Sequence, residues 1–369
     1  MSTLVSALAV GLTTVAAATP LSAPAAASWQ PVYRQGGQTY LDGFTTTAPG
    51  HIWAVGSRVA EDGYHRLAAF RTVNGVTTQL PPVPADYSTR WGRFLSVDGV
   101  ADDDLWAVGV FAAKTSGTTI PLLARWNGTA WRQVRLPLPP RALGELVSVS
   151  ARAADDVWFA GNTGDFGDVA LFHWDGTQVN EIPVTVADPI CSPARTLAVD
   201  LTTTSNAVWL ATRCTLNTDA RTAGSVQRLV GGTWSLAYSS GPSRGVVSIA
   251  DDGTGLVLAT GFTPTFGGSL PILVAGRASL RVVATFGQDQ FYWDVAARAG
   301  AVYLVGQVST SNTPLVLRGS GSTFGPEPID GDMPLFGVTI DAAGTAWSVG
   351  PAFGGSFGAP NAGLWQRIA

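Results

Sequence analysis

One short phrase returns seven times along the chain: an apolar or aromatic residue, then small or branched residues, then usually glycine. It reads Ile52-Trp53-Ala54-Val55-Gly56, Leu105-Trp106-Ala107-Val108-Gly109 and Val157-Trp158-Phe159-Ala160-Gly161. It continues as Val208-Trp209-Leu210-Ala211-Thr212, Val257-Leu258-Ala259-Thr260-Gly261, Val302-Tyr303-Leu304-Val305-Gly306 and Ala346-Trp347-Ser348-Val349-Gly350. The steps from Trp53 through Trp106, Trp158, Trp209, Leu258 and Tyr303 to Trp347 are 53, 52, 51, 49, 45 and 44 residues. A strand-rich unit of about 50 residues, repeated seven times, predicts an all-β, seven-bladed β-propeller of four-stranded antiparallel blades. Seven such units fill the 369 residues as one domain, residues 28–369.

The second repeat shows how a blade is written. Phe94–Val100 alternates as an inner strand, and Ala101-Asp102-Asp103-Asp104 supplies the turn. Leu105–Phe111 is the second strand and Pro121–Trp126 the third. Asn127-Gly128 is a two-residue hairpin signal, and Trp131–Leu136 is the outer strand. Aligned on the repeat, the inner strands give a branched column of Phe44, Val97, Val149, Val199, Ile249, Val295 and Val338. Beside it runs a slim column of Gly43, Ser96, Ser148, Ala198, Ser248, Asp294 and Gly337. Slim residues suit the crowding near the axis. Glycine at the end of strand two permits a close backbone approach, and the aromatics of that strand read as packing between blades.

The seventh repeat stops at Ala369, one strand short. Ser28-Trp29-Gln30-Pro31-Val32-Tyr33-Arg34 resembles the outer strand Ala130–Arg135, so the N-terminal segment is expected to complete the last blade and close the ring. Residues 1–27 read as a secretory signal peptide, apolar and small up to Ala25-Ala26-Ala27 before Ser28, though no basic residue precedes Arg34. Thr13, Thr14, Thr19, Pro20 and Pro24 break the run and argue against a membrane anchor. The two cysteines, Cys191 and Cys214, fall near the open end of one predicted hairpin. In an exported protein they are expected to form a disulfide. The net charge of −4 leaves no electrostatic footprint for nucleic acid. A secreted monomer without stable membrane insertion and without a cofactor is expected.

The layout Leu105-Trp106-Ala107-Val108-Gly109, then Arg125-Trp126-Asn127-Gly128-Thr129-Ala130-Trp131, resembles the kelch repeat, whose family includes the central propeller of galactose oxidase. The chain departs from that pattern in having one glycine where kelch repeats have two, as at Gly109-Val110 and Gly161-Asn162. It is more similar still to secreted bacterial propellers with Asp-Asp-Val-Trp-Ala-Val-Gly repeats, a resemblance that implies no chemistry. The sialidase Asp-box is rejected, because Asp175-Gly176 and Asn127-Gly128 lack the residue that box places between aspartate and glycine.

A copper site of the galactose-oxidase kind needs two histidines and two tyrosines on one face. The chain has three histidines, His51, His65 and His173, assigned to three different parts of the repeat. The clusters Asp102–Asp104, Asp155-Asp156 and Asp251-Asp252 all occupy the turn between the first two strands and read as turn chemistry. The place to look is the opposite, loop-rich face. Just before the inner strands stand Tyr40, Arg93, Glu145, Arg195, Arg244, Phe291 and Tyr292, a mixture suited to a glycan, a peptide or a protein ligand. Asp330 and Asp332 form a weak calcium motif. The leading expectation is a secreted, non-catalytic binding propeller. A carbohydrate-active lyase or hydrolase using Glu145, Arg93, Arg195 and Tyr292 is the alternative, and a structural surface protein the third.

Overall fold

The computed structural model describes residues 27–35, 37–83, 89–113, 119–138, 144–163, 168–216, 222–242, 245–265, 268–331, 333–352 and 361–368. Its strands form seven four-stranded antiparallel sheets, with no helix among the described residues. Blades one to six run Thr39–Gln79, Thr89–Gln133, Gly144–Ile182, Cys191–Ser239, Gly245–Thr285 and Gln290–Pro326. Each is a simple meander from inner to outer strand. Blade seven consists of Gly337–Ile340, Ala346–Ala352 and Asn361–Ile368, with Ser28–Gln35 as its outer strand. The N-terminal segment therefore closes the ring, pairing Ser28 with Ile368 and Gln35 with Ala362.

The recurring phrase is apolar without alternation because strand two is buried on both faces. Leu105, Trp106, Ala107 and Val108 are all at most 1% exposed. The core is accordingly not one mass but a set of clusters, seven of them shared by two neighbouring blades. Trp53 and Ala69 of blade one pack with Phe94, Leu122 and Trp131 of blade two. Trp106 and Val108 of blade two pack with Phe159 and Phe172 of blade three. The same arrangement joins blade seven to blade one through Trp347, Leu364, Ile52 and Phe70. Ring contacts cross these junctions, with Trp53 at 6.0 Å from Trp126 and Trp106 at 5.2 Å from Trp174.

The glycine that ends the phrase serves a β-bulge. In blades one to six the inner strand carries one extra residue opposite strand two, between Leu41 and Gly43, Phe94 and Ser96, Leu146 and Ser148, Ala198 and Asp200, Val246 and Ser248, and Tyr292 and Asp294. A Cβ on Gly109 would lie 2.1 Å from the Arg93 carbonyl oxygen, and one on Gly306 would lie 1.8 Å from that of Phe291. In blades one, two, three, five and six the glycine makes room for the carbonyl that precedes the bulge, and so helps set where the rim residues stand; in blade four Thr212 takes its place.

The inner-strand columns need one correction. In blade four Ala211 pairs with Asp200, so Asp200 joins the slim column and Leu201 the branched one, in place of Ala198 and Val199. One residue of the shift comes from a shorter hairpin: the two strands meet at Thr204 and Ala207, without the second irregularity seen between Gly99 and Ala101 in blade two. Cys191 and Cys214 form the expected disulfide, with Cα atoms 5.5 Å apart, buried with Leu216 and Ala223.

Candidate binding face at the channel mouth

The register places Tyr40, Arg93, Glu145, Leu197, Gly245 and Phe291 at equivalent rim positions, each one residue before the buried residue that precedes the bulge. Leu197 takes the rim place in blade four expected for Arg195 from the sequence, two residues away. Arg195 lies further back along its strand. Arg244 and Asp332 lie outside the described residues. Tyr292 is not at the surface: it is 2% exposed, donates its hydroxyl to Gln290 Oε1 at 2.8 Å, and packs edge-on against Phe286. Asp330 is exposed, and its backbone belongs to the closing seam, where its carbonyl accepts from Trp365 Nε1 at 2.8 Å.

Tyr40, Arg93 and Glu145 are brought together. Arg93 grips Asp42, the bulge residue of blade one, through both carboxylate oxygens, with Nε at 2.6 Å from Oδ2. That hydrogen bond, with the nearby charges of Asp42, Tyr40 and Glu145, raises the Arg93 pKa. His65 completes the group. Its ring lies 5.1 Å from that of Tyr40, and its Nδ1 hydrogen-bonds Ser57 Oγ at 2.9 Å. Burial, helped by the Arg93 charge and opposed by Asp42, pushes His65 below its ordinary range, so the ring is neutral at pH 7. Neither Asp42 nor His65 stands out as a rim residue in the sequence. Asp42 becomes visible only once the bulge is known.

The neighbouring sector of the mouth, in blades six and seven, is aromatic. Trp293 is the bulge residue of blade six and Phe336 stands at the matching place in blade seven; they meet edge to face at 5.7 Å. Phe291 lies 4.5 Å from Trp293. Trp293 is 38% and Phe336 42% exposed, the two aromatics among the exposed large hydrophobic side chains of the described residues. The run Phe291-Tyr292-Trp293 is the available sequence signal. Alternation along the strand points to the outer two residues and buries the middle one.

One step deeper, the slim column forms a polar ring that ties blade to blade around the axis. Ser148 Oγ donates to Asp200 Oδ1 at 2.7 Å, and Asp200 Oδ2 accepts the Ile249 N–H at 2.9 Å. Ser248 Oγ lies 3.1 Å from Asp200 Oδ2 and 2.5 Å from Asp294 Oδ1, and Asp294 Oδ2 accepts the Val338 N–H at 2.8 Å. Asp98 similarly accepts from Thr45 of blade one and Ala151 of blade three. Burial raises all three acids, and Asp294 is pushed up to about 7.

The acids of the opposite face have structural duties. Asp102 reaches from the turn of blade two to Thr47, His51, Trp53 and Arg71 of blade one. Burial opposes its ionisation, but these partners outweigh it and hold the carboxyl below the usual range. Turn chemistry alone therefore describes Asp252, which accepts from Thr254 and Leu256 of its own turn, but not Asp102. The histidines have separate partners: Asp102 for His51, Ser57 for His65, Asp156 and the face of Trp158 for His173.

No protein-family model matches the chain, and no curated protein does. Solved structures match it along most of its length. A streptogramin B lyase is 13% identical with a TM-score of 0.54, covering 90% of this chain and 97% of its own. The structure of YCF48 bound to D1 peptide is 13% identical with a TM-score of 0.56, covering 94% and 99%. The polysaccharide lyase Uly1 is 10% identical with a TM-score of 0.58, covering 89% of each chain. Likeness at such identities establishes the fold, and with the sheet order it defines this chain as a seven-bladed β-propeller.

Proposed function

We propose that the protein is an exported, non-catalytic propeller of kelch-like type that binds a glycan, peptide or protein ligand at the mouth of its loop-rich face. The observation that carries this reading is the exposed Trp293–Phe336 pair beside the charged Arg93–Asp42 fork. Aromatic faces stack on sugar rings and apolar side chains, and an arginine fork orients hydroxyls or carboxylates. Both ligand classes occur among the solved propellers, a bound peptide in YCF48 and a polysaccharide lyase in Uly1. The leader-like residues 1–27 and the Cys191–Cys214 disulfide support export. Glycan and peptide arrays probed with the purified protein test the reading. Binding lost in Trp293→Ala and Phe336→Ala, with melting unchanged, supports it; unaltered binding in both variants refutes it.

An enzymatic reading rests on a different observation, the neutral His65 beside Tyr40 and Arg93. A neutral imidazole is competent as a base, and an arginine can neutralise a substrate carboxylate, the pairing a glycan lyase requires. Turnover of an acidic polysaccharide that disappears in His65→Ala favours it over simple binding.

A further inference from the structure

The repeating aromatic of strand two has a regular companion on strand three. Trp53 pairs in register with Arg71, Trp106 with Arg125, Trp209 with Arg228 and Tyr303 with Arg318. In each pair the guanidinium lies over the ring, at 5.0, 4.9, 5.3 and 5.9 Å from its centroid. In blade three His173 stacks on Trp158 at 4.2 Å. Each pair fills space between its blade and the next, where a third large group often meets it, Trp126 beside Trp53 and Trp174 beside Trp106.

Blade five breaks the pattern at every one of these positions. Leu258 stands where the indole would be and Ala275, its register partner, where the cation would be. Across the junction, the residue matching Trp126 and Trp174 is Gly319, the partner of Val302. Ring and cation are lost together, without the facing ring that blades two and three supply at their junctions, and the space is a cavity of about 490 Å³. This volume lies within the roughly 300–1,000 Å³ of small-molecule sites. Its walls are apolar, from Leu258, Ala275, Val283, Ala297 and Val302, and Asp252 borders it. Asp252 is 8% exposed, and its Oδ1 takes the hydrogen bonds of its own turn. Arg281 is the other charge at the cavity. The cavity opens among the turns, on the face opposite the aromatic mouth.

We infer that the junction between blades five and six is a second ligand site, and that it takes a small aromatic amine: a planar ring in place of the missing indole and a cation in place of the missing guanidinium. The ring lies between Leu258 and Val302, and the ammonium is held by the Asp252 carboxylate. At four of the equivalent junctions the chain supplies both ring and cation from its own side chains, in blade seven Trp347 faces Gln366 instead, and here both places are left open.

Tryptamine, which carries both groups, is the probe, with indole for comparison. Titration calorimetry on the wild-type protein is expected to show saturable binding of tryptamine, at least fivefold tighter than indole. Leu258→Trp combined with Ala275→Arg fills the cavity with the residues of the other blades. It is expected to melt no lower than wild type and to weaken tryptamine at least tenfold. Asp252→Asn keeps the turn acceptor and removes the charge, so it is expected to abolish the preference for tryptamine over indole, and it serves if the filled variant does not fold. No binding of tryptamine to the wild type at millimolar concentration, undiminished binding by a folded filled variant, or an unchanged preference in Asp252→Asn overturns the proposal.

Discussion

Ser248 of blade five stands 2.5 Å from Asp294 of blade six, and the same hydroxyl lies 3.1 Å from Asp200 of blade four. A hydroxyl has one proton to donate, so the three groups are best satisfied when one carboxyl keeps its own. Asp294, raised to about 7 by burial and by the Asp200 charge, is that carboxyl. The folded pKa lies above the unfolded one, so the stabilisation is complete below about pH 4 and is lost as pH rises through about 7. Because the two acids are coupled, the loss belongs to the pair. Asp294→Asn keeps an acceptor for the Val338 N–H and supplies a donor to Ser248. Denaturant melts of wild type between pH 5 and 8 are expected to lose about 2–3 kcal/mol that the Asn variant does not lose. A variant with the wild-type slope would remove Asp294 as the cause.

Trp29 is the anchor of ring closure. It is fully buried, its indole donates to Glu327 Oε2 at 2.9 Å, and its ring meets Tyr303 edge-on at 5.8 Å. Its backbone also bonds Pro328 and Asp330, so one residue of the N-terminal strand seals blade seven against the end of blade six. Trp29→Ala is expected to cost about 3–5 kcal/mol, and deletion of residues 28–35 to lower the melting of the whole domain in one transition. A deletion variant that melts like wild type would show that the ring does not depend on this strand.

The disulfide clamps a segment rather than a blade. It ties Cys191, at the start of the inner strand of blade four, to Cys214 near the end of strand two, 23 residues apart in sequence. The chain-entropy account assigns a loop of this length about 3 kcal/mol. Replacing both cysteines by serine is expected to lower unfolding stability by about 2–4 kcal/mol. Equal stability of the reduced and oxidised wild type would contradict this.

The ring, its closure and its disulfide are legible in the sequence because each leaves a mark of residue type at fixed spacing: the phrase, the orphan strand Ser28–Arg34, the paired cysteines. The mouth is legible only in part. Arg93, Glu145, Tyr40 and Phe291 stand at the right offset, but Asp42 and Trp293 are bulge residues, and a bulge changes which side chains face the mouth without changing composition. In blade four the hairpin is one residue shorter, and the rim position falls at Leu197, two residues beyond the expected Arg195. Tyr292 has the right chemistry in the wrong register. The bulges and the blade-four shift are decided by pairing with the partner strand, whereas the burial of Tyr292 follows from alternation within its own strand.

The link between phrase and mouth gives the last prediction. Gly306 ends the phrase of blade six, and a Cβ there would meet the Phe291 carbonyl oxygen at 1.8 Å, a backbone atom without the freedom of a side-chain tip. Accommodating it means moving the carbonyl that begins the bulge carrying Trp293. Gly306→Ala is therefore expected to destabilise by about 1–3 kcal/mol and to weaken ligand binding at the mouth beyond its effect on folding. Gly325, in the outer strand of the same blade, has an ordinary backbone and open space within 4 Å of where a Cβ would stand. Gly325→Ala is therefore the control, expected to be neutral in both respects. Equal melting of the two variants would mean that the glycine of the phrase is not what positions the rim.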